Sequence, residues 1–117
     1  MPTASTITEA EFIRQVLDLA RWCGWRSAHF RPGKTGRKDR NGKDVWVTAV
    51  QGDGKGFPDL VLVKTRVIAA ELKVGRNRTT AEQDDWLKAF AAAGIATFVW
   101  TPADWNEIQD VLQGADQ

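Results

Sequence analysis

Cysteine is nearly absent from this chain: Cys23 stands alone, which excludes an intramolecular disulfide and a cysteine metal cage and leaves a small, partly buried thiol. Histidine is equally scarce, and His29, the only one, reads first as a hydrogen-bonded structural residue at a strand end, with a ligand or base as the alternative. No apolar run approaches the ~18 to 20 residues that span a bilayer, so no membrane partner is expected. The opening MPTASTITEAEF has neither a basic start nor an apolar signal core, and the expected location is the cytoplasm. Internal repeats and low-complexity tracts are missing. The glycine-rich GDGKGFP at residues 52–58 lacks the Gly-Lys-Ser/Thr ending of a phosphate-binding P-loop, which makes Asp53 a turn residue or, less simply, an extra ligand.

What remains is a 117-residue chain with 43% hydrophobic and 26% charged residues, the proportions of one globular domain with a single core. Its formal net charge of +1 argues by itself for no polyanionic partner, but the charge is unevenly spread. Residues 31–44, RPGKTGRKDRNGKD, carry six Lys or Arg against two Asp, whereas residues 102–117 carry four acids and no base. The basic segment has no periodicity and is expected to be a mobile loop, either merely solvated or ordering on phosphates through Lys34, Arg37, Lys38 and Arg40.

Residues 56–73, GFPDLVLVKTRVIAAELK, organise the rest. Two apolar runs, 60–63 and 67–72, flank Lys64, Thr65 and Arg66, the pattern of a β-hairpin. Centring the turn on Thr65 sets Asp59 opposite Glu71, with Cα atoms roughly 4.5 to 5.5 Å apart. Alternation puts Glu71 and Lys73 on one face, ~6.6 Å apart along the strand.

Around this hairpin the chain reads α, β, a loop region, β, β, α, β, α. Thr8 and Glu11 form a capping box for a first helix that Gly24 stops. Glu11 then has a structural job, while Glu9, three and four residues before Phe12 and Ile13, shares their stripe and is expected to point inward. Both acids also suit a first turn through the helix dipole. Residues 25–30 suggest a strand with Trp25, Ser27 and His29 on one side, and residues 45–51 a short strand or loop wall. Arg76 and Arg78 mark a basic turn. Thr80 with Gln83, or Thr79 with Glu82, caps a helix whose buried stripe is Trp86, Leu87, Phe90 and Ala93, so that the Gln83 amide can face the sheet. A buried strand at 95–100 precedes a last helix capped by Thr101 with Pro102 at its first position. Of the tryptophans, Trp86 and Trp100 fit buried stripes, and Trp46 and Trp105 are candidates for exposure.

Two carboxylates and an ammonium at one edge of an apolar hairpin make a poor core and a good seat for a divalent cation. Mg²⁺ takes one or two protein carboxylates, keeps several waters and binds phosphate oxygens. A neighbouring lysine can orient an attacking water or stabilise the transition state. Phosphodiester hydrolysis is the chemistry this favours, and a surface salt-bridge cluster is the plainer alternative.

Taken together, GFPDLVLV, ELKVG and TTAEQDDWLKAF resemble the PD-(D/E)xK nuclease superfamily, and within it the VRR-NUC family of small phage and bacterial nucleases, over about residues 8–105. The helix TEAEFIRQVLDL is similar to the opening helix of archaeal Holliday-junction resolvases. The resemblance implies a restriction-endonuclease-like α/β fold over 1–117, with an α-β-β-β-α-β core and a mixed central sheet flanked by helices. It implies Glu9 (or Glu11), Asp59 and Glu71 as metal ligands, Lys73 as the catalytic lysine and Gln83 as the helical glutamine. Arg76 and Arg78 join the loop residues as nucleic-acid contacts. The implied activity is Mg²⁺- or Mn²⁺-dependent endonucleolytic cleavage of DNA, branched DNA above all, by a homodimer. A non-catalytic nucleic-acid-binding module and an accessory nuclease needing a partner are the alternatives.

Overall fold

The computed structural model describes residues 7–30, 33–47 and 52–114, and of residues 33–36, 46 and 47 it describes the backbone. Helix α1 (Glu9–Trp22) opens the chain and is followed by β1 (Arg26–His29), β2 (Gly33–Lys38), β3 (Asp44–Val47), β4 (Leu60–Val63) and β5 (Val67–Leu72). Then come α2 (Ala81–Ala92), β6 (Ala96–Trp100) and α3 (Trp105–Gln113). Strands β1, β4, β5 and β6 lie in that order in one mixed sheet, antiparallel except for the parallel pair β5–β6. The right-hand half of that sheet, β5–α2–β6, is a crossover unit, as a parallel neighbour requires.

The hairpin has the expected register, with Leu60 paired to Ala70 and Val63 to Val67 across Lys64, Thr65 and Arg66. Alternation then sorts the side chains. Leu60, Leu62, Ile68, Ala70, Leu72 and Trp100 point to one face, where Phe12, Val16 and Ala20 of α1 and Ile108 and Leu112 of α3 join them in one core. Trp25 belongs to this core, and its indole N–H donates to the Leu112 carbonyl at 2.9 Å, tying the start of β1 to the end of α3. The opposite face carries Val61, Ala69, Glu71 and Val99, and α2 packs over β5 and β6 there. Burial of each core leucine is worth roughly 1.5 to 3 kcal/mol.

Both capping boxes form. Thr8 Oγ1 accepts from the Glu11 amide at 3.1 Å and Glu11 Oε1 from the Thr8 amide at 3.0 Å. Between the two possibilities for α2, the structure uses Thr80 and Gln83. Several expectations need correction. The last helix begins with a 3₁₀ turn, Pro102–Asp104, because Thr101 is held from its amide and its hydroxyl by the Asp104 carboxylate. The stripe Trp86, Leu87 and Phe90 is only half-buried, and Ala93 is exposed. Trp105 packs against the core rather than facing solvent; among the described side chains the exposed indole is Trp22, 87% accessible at the end of α1.

The basic segment also departs from expectation: its centre is a hairpin, not an irregular loop. β2 and β3 pair antiparallel as a separate two-stranded sheet. Its tip is fastened by Asp39, whose Oδ1 accepts from the amides of Asn41 at 2.8 Å and Lys43 at 2.9 Å, with Gly42 at a φ of +79° that a side chain would resist. Residues 31, 32 and 48–51, including part of the anticipated 45–51 strand, lie outside the described residues, as do the side chains of Lys34 and Trp46.

Candidate active site

β4 begins only at Leu60 while β5 runs on to Leu72, so the Leu72 amide on the β4 side has no ladder carbonyl to meet. The Asp59 side chain supplies the acceptor instead: Oδ2 takes that N–H at 2.9 Å. The Asp59 carbonyl in turn receives the Phe30 amide at 2.8 Å, extending the β1–β4 edge by one residue. Asp59 is thereby clamped from both neighbouring strands and its carboxylate is held beside that of Glu71.

Glu71 is wholly buried, the one charged residue in the described core. Its Oε1 receives the Gln83 amide at 3.4 Å, a long bond, while Oε2 is buried with no hydrogen-bond donor. Burial first, then the nearby charge of Asp59, push the Glu71 carboxyl up to about 8; Lys73 opposes the shift. A buried carboxylate oxygen without a donor costs free energy unless a proton or a cation meets it. The pair is built to receive positive charge.

Gln83 reaches this carboxylate because its other amide atom is anchored: Oε1 accepts from the Thr80 amide at 2.9 Å, closing the box that starts α2. The helix start is pressed onto the loop before Asp59. A Cβ on Gly56, whose φ is +83°, would lie 2.5 to 2.7 Å from the backbone of Glu82 and Gln83. Phe57 fills the next layer, edge-on to Phe30, Trp86 and Phe90 at centroid distances of 5.0, 4.9 and 5.8 Å. Lys73 is half-buried on the face of Glu71, and its amide donates to the Trp100 carbonyl at 2.9 Å.

Asp59, Glu71, Lys73 and Gln83 are therefore brought together. Glu9 is not: it is exposed, and α1 packs through Phe12, Val16 and Ala20 on the sheet face opposite the one to which Glu71 alternates. The expected inward Glu9 fails because helix phase identifies a buried stripe without identifying which side of the sheet receives it. Glu11 is spent on the cap, and its bonds to Thr8 hold its carboxyl below the usual range. Among the described residues no group of three or more His, Cys, Asp or Glu is placed to hold a metal ion. A cation would have Asp59 and Glu71 as its protein ligands.

Arg76 and Arg78 are exposed and, with Gly75 and Asn77, line a recess of about 520 Å³ just beyond Lys73. Arg37, Lys38 and Arg40 are exposed on the β2–β3 hairpin, Lys38 in a 2.6 Å ion pair with Asp44. Asp53 sits apart from the carboxylate pair, in a cleft of about 460 Å³ with Glu82, Asp85 and Trp86, whose indole N–H donates to the Asp53 carbonyl at 2.9 Å. Sequence reasoning missed the Asp59–Leu72 and Phe30–Asp59 bonds; the start of the apolar run at Leu60, against Leu72 at the end of its partner, was the available signal.

No helix of the described residues is long and apolar enough to cross a membrane. In comparison with known proteins, no family model, no curated protein and no solved structure matches the chain.

Proposed function

We propose that this chain is a metal-dependent endodeoxyribonuclease that hydrolyses phosphodiester bonds, branched DNA being its expected substrate and a homodimer its working form. The observation that carries the reading is the Asp59–Glu71 pair: two adjacent carboxylates, one fully buried with an oxygen that no donor meets. The observed order of helices and strands is compatible with the restriction-endonuclease-like core, and the resemblance to VRR-NUC nucleases of the PD-(D/E)xK superfamily rests on the same residues.

Mg²⁺ or Mn²⁺ fits this donor set, since two carboxylates leave most coordination positions to water and phosphate oxygens. Bound there, the ion would supply Lewis-acid activation of water and neutralise charge on the scissile phosphate. The chain's own residues do the rest. Gln83 holds the orientation of Glu71, the Leu72 amide that of Asp59, and Lys73 offers an ammonium to a phosphate oxygen or to the attacking water. Arg76 and Arg78 and the basic hairpin would hold flanking phosphates.

Lys73→Ala should slow cleavage by about 10² to 10³ fold, the usual cost of one transition-state donor. Asp59→Asn keeps an oxygen for the Leu72 amide, so it should fold and bind junction DNA while failing to cut it. The check is a panel of labelled four-way junction, flap, nicked, duplex and single-stranded substrates with each metal. Unchanged cutting by both variants would sink the assignment. The lack of a third carboxylate among the described residues favours a second reading, a nucleic-acid-binding module or a nuclease completed by a partner protein. Binding without cleavage under both metals points to the first of these, and recovery of activity with added host extract to the second.

A further inference from the structure

We propose that the β2–β3 hairpin is a ribbon that enters the major groove of B-form DNA, so that the substrate carries duplex within about nine base pairs of the candidate site. The groove-binding part stands on the hairpin alone; the distance to the cut rests on the nuclease reading. Size decides the groove. Two paired strands lie ~4.8 Å apart, and with side chains the ribbon suits a major groove ~12 Å wide but not a minor groove ~6 Å wide. The deep, narrow major groove of A-form RNA would exclude it.

Charge and rigidity agree with this. Of the two acids between residues 37 and 44, Asp39 is consumed by the tip amides and Asp44 by Lys38, which leaves Arg40 and Lys43 exposed at the very tip. The Asp39–Gly42 turn, closed by Asp39 N–H to the Lys43 carbonyl at 2.8 Å and Gly42 N–H to the Asp39 carbonyl at 3.0 Å, presents those two cations on a fixed frame. A fixed frame loses less freedom on binding than a loop would.

The six residues of β2 span ~20 Å at ~3.3 Å each, more than the ~8.5 Å depth of the groove. β2 begins at Gly33, three residues after Phe30, whose amide bonds the Asp59 carbonyl, so chain length alone keeps the root of the hairpin within ~10 Å of that bond. That ~10 Å and the ~20 Å reach, at ~3.4 Å per base pair, give about nine base pairs.

The test is fluorescence anisotropy of the full chain in EDTA, where nothing is cut, with labelled DNA duplex, RNA duplex and single-stranded DNA. DNA duplex should bind at least about tenfold more tightly than the other two. Arg40→Gln with Lys43→Gln should lose most of that preference and lower the salt slope by about 2, at ~0.9 per phosphate contact. Methyl green, a major-groove ligand, should compete, and netropsin, a minor-groove ligand, should not. Equal affinity for single strands, competition by netropsin alone, or an unchanged slope in a variant with wild-type melting would overturn the proposal. A protein that binds as expected yet never cuts overturns the nuclease reading alone; one that cuts but binds single strands equally overturns the groove alone.

Discussion

Glu71 keeps its proton where an ordinary glutamate has lost it, and that has a sign. The unfolded chain releases the proton near 4.5 and the folded chain near about 8, so between those values the folded state binds more protons. The stability this contributes is fully present below the unfolded value and is lost as pH rises through the folded one. Calorimetry without metal should show melting temperature falling from about pH 5 to about pH 8, and Glu71→Gln, which cannot ionise, should flatten that slope. Parallel slopes would place its source elsewhere. Mg²⁺ at about a hundred times its dissociation constant should restore ~2.7 kcal/mol at the upper pH, several degrees of melting, in the native protein but not in Glu71→Gln. The facing of Asp59 and Glu71 was legible in the sequence because Lys64, Thr65 and Arg66 mark the turn so plainly. The burial of Glu71 was not, since it depends on α2, whose distance from the sheet no local pattern encodes.

At the scale of elements, the meeting of α2 with the Gly56 loop sets the site. Gly56→Ala must both leave a positive φ and push back the Glu82 and Gln83 backbone, and it should cost more than the ~1 kcal/mol of an ordinary Gly→Ala strain, with loss of the Gln83–Glu71 contact. Denaturant unfolding and cleavage rate measured on the same variant check this. Thr80→Ala, which removes only the cap, should cost ~1 kcal/mol and lower activity less. Both capping boxes could be read from sequence because their geometry spans four residues. The β2–β3 hairpin could not, because Gly-Lys-Thr-Gly-Arg-Lys has no apolar alternation. Glu9 was misjudged for a related reason: the stripe of Phe12, Val16 and Ala20 is local information, and the choice of sheet face is not.

Over the whole molecule, the radius of gyration is 15.1 Å, against ~13 Å for a compact chain of this length, and the principal extents are 49 × 36 × 22 Å. Such elongation suits a body with a projecting basic ribbon. Neutralising Arg37, Lys38 and Arg40 should weaken DNA binding and flatten its salt dependence, measured by titrating affinity from about 50 to about 200 mM salt. An unchanged slope would remove the ribbon from the interface.

The bond from the Phe30 amide to the Asp59 carbonyl makes one peptide group serve two masters. On one side it is the last rung of the β1–β4 ladder; on the other it lies three residues before the ribbon begins at Gly33. The Phe30 amide is thus a local gauge of DNA engagement, and its hydrogen exchange should slow when duplex is bound, before any bond in the DNA has been broken.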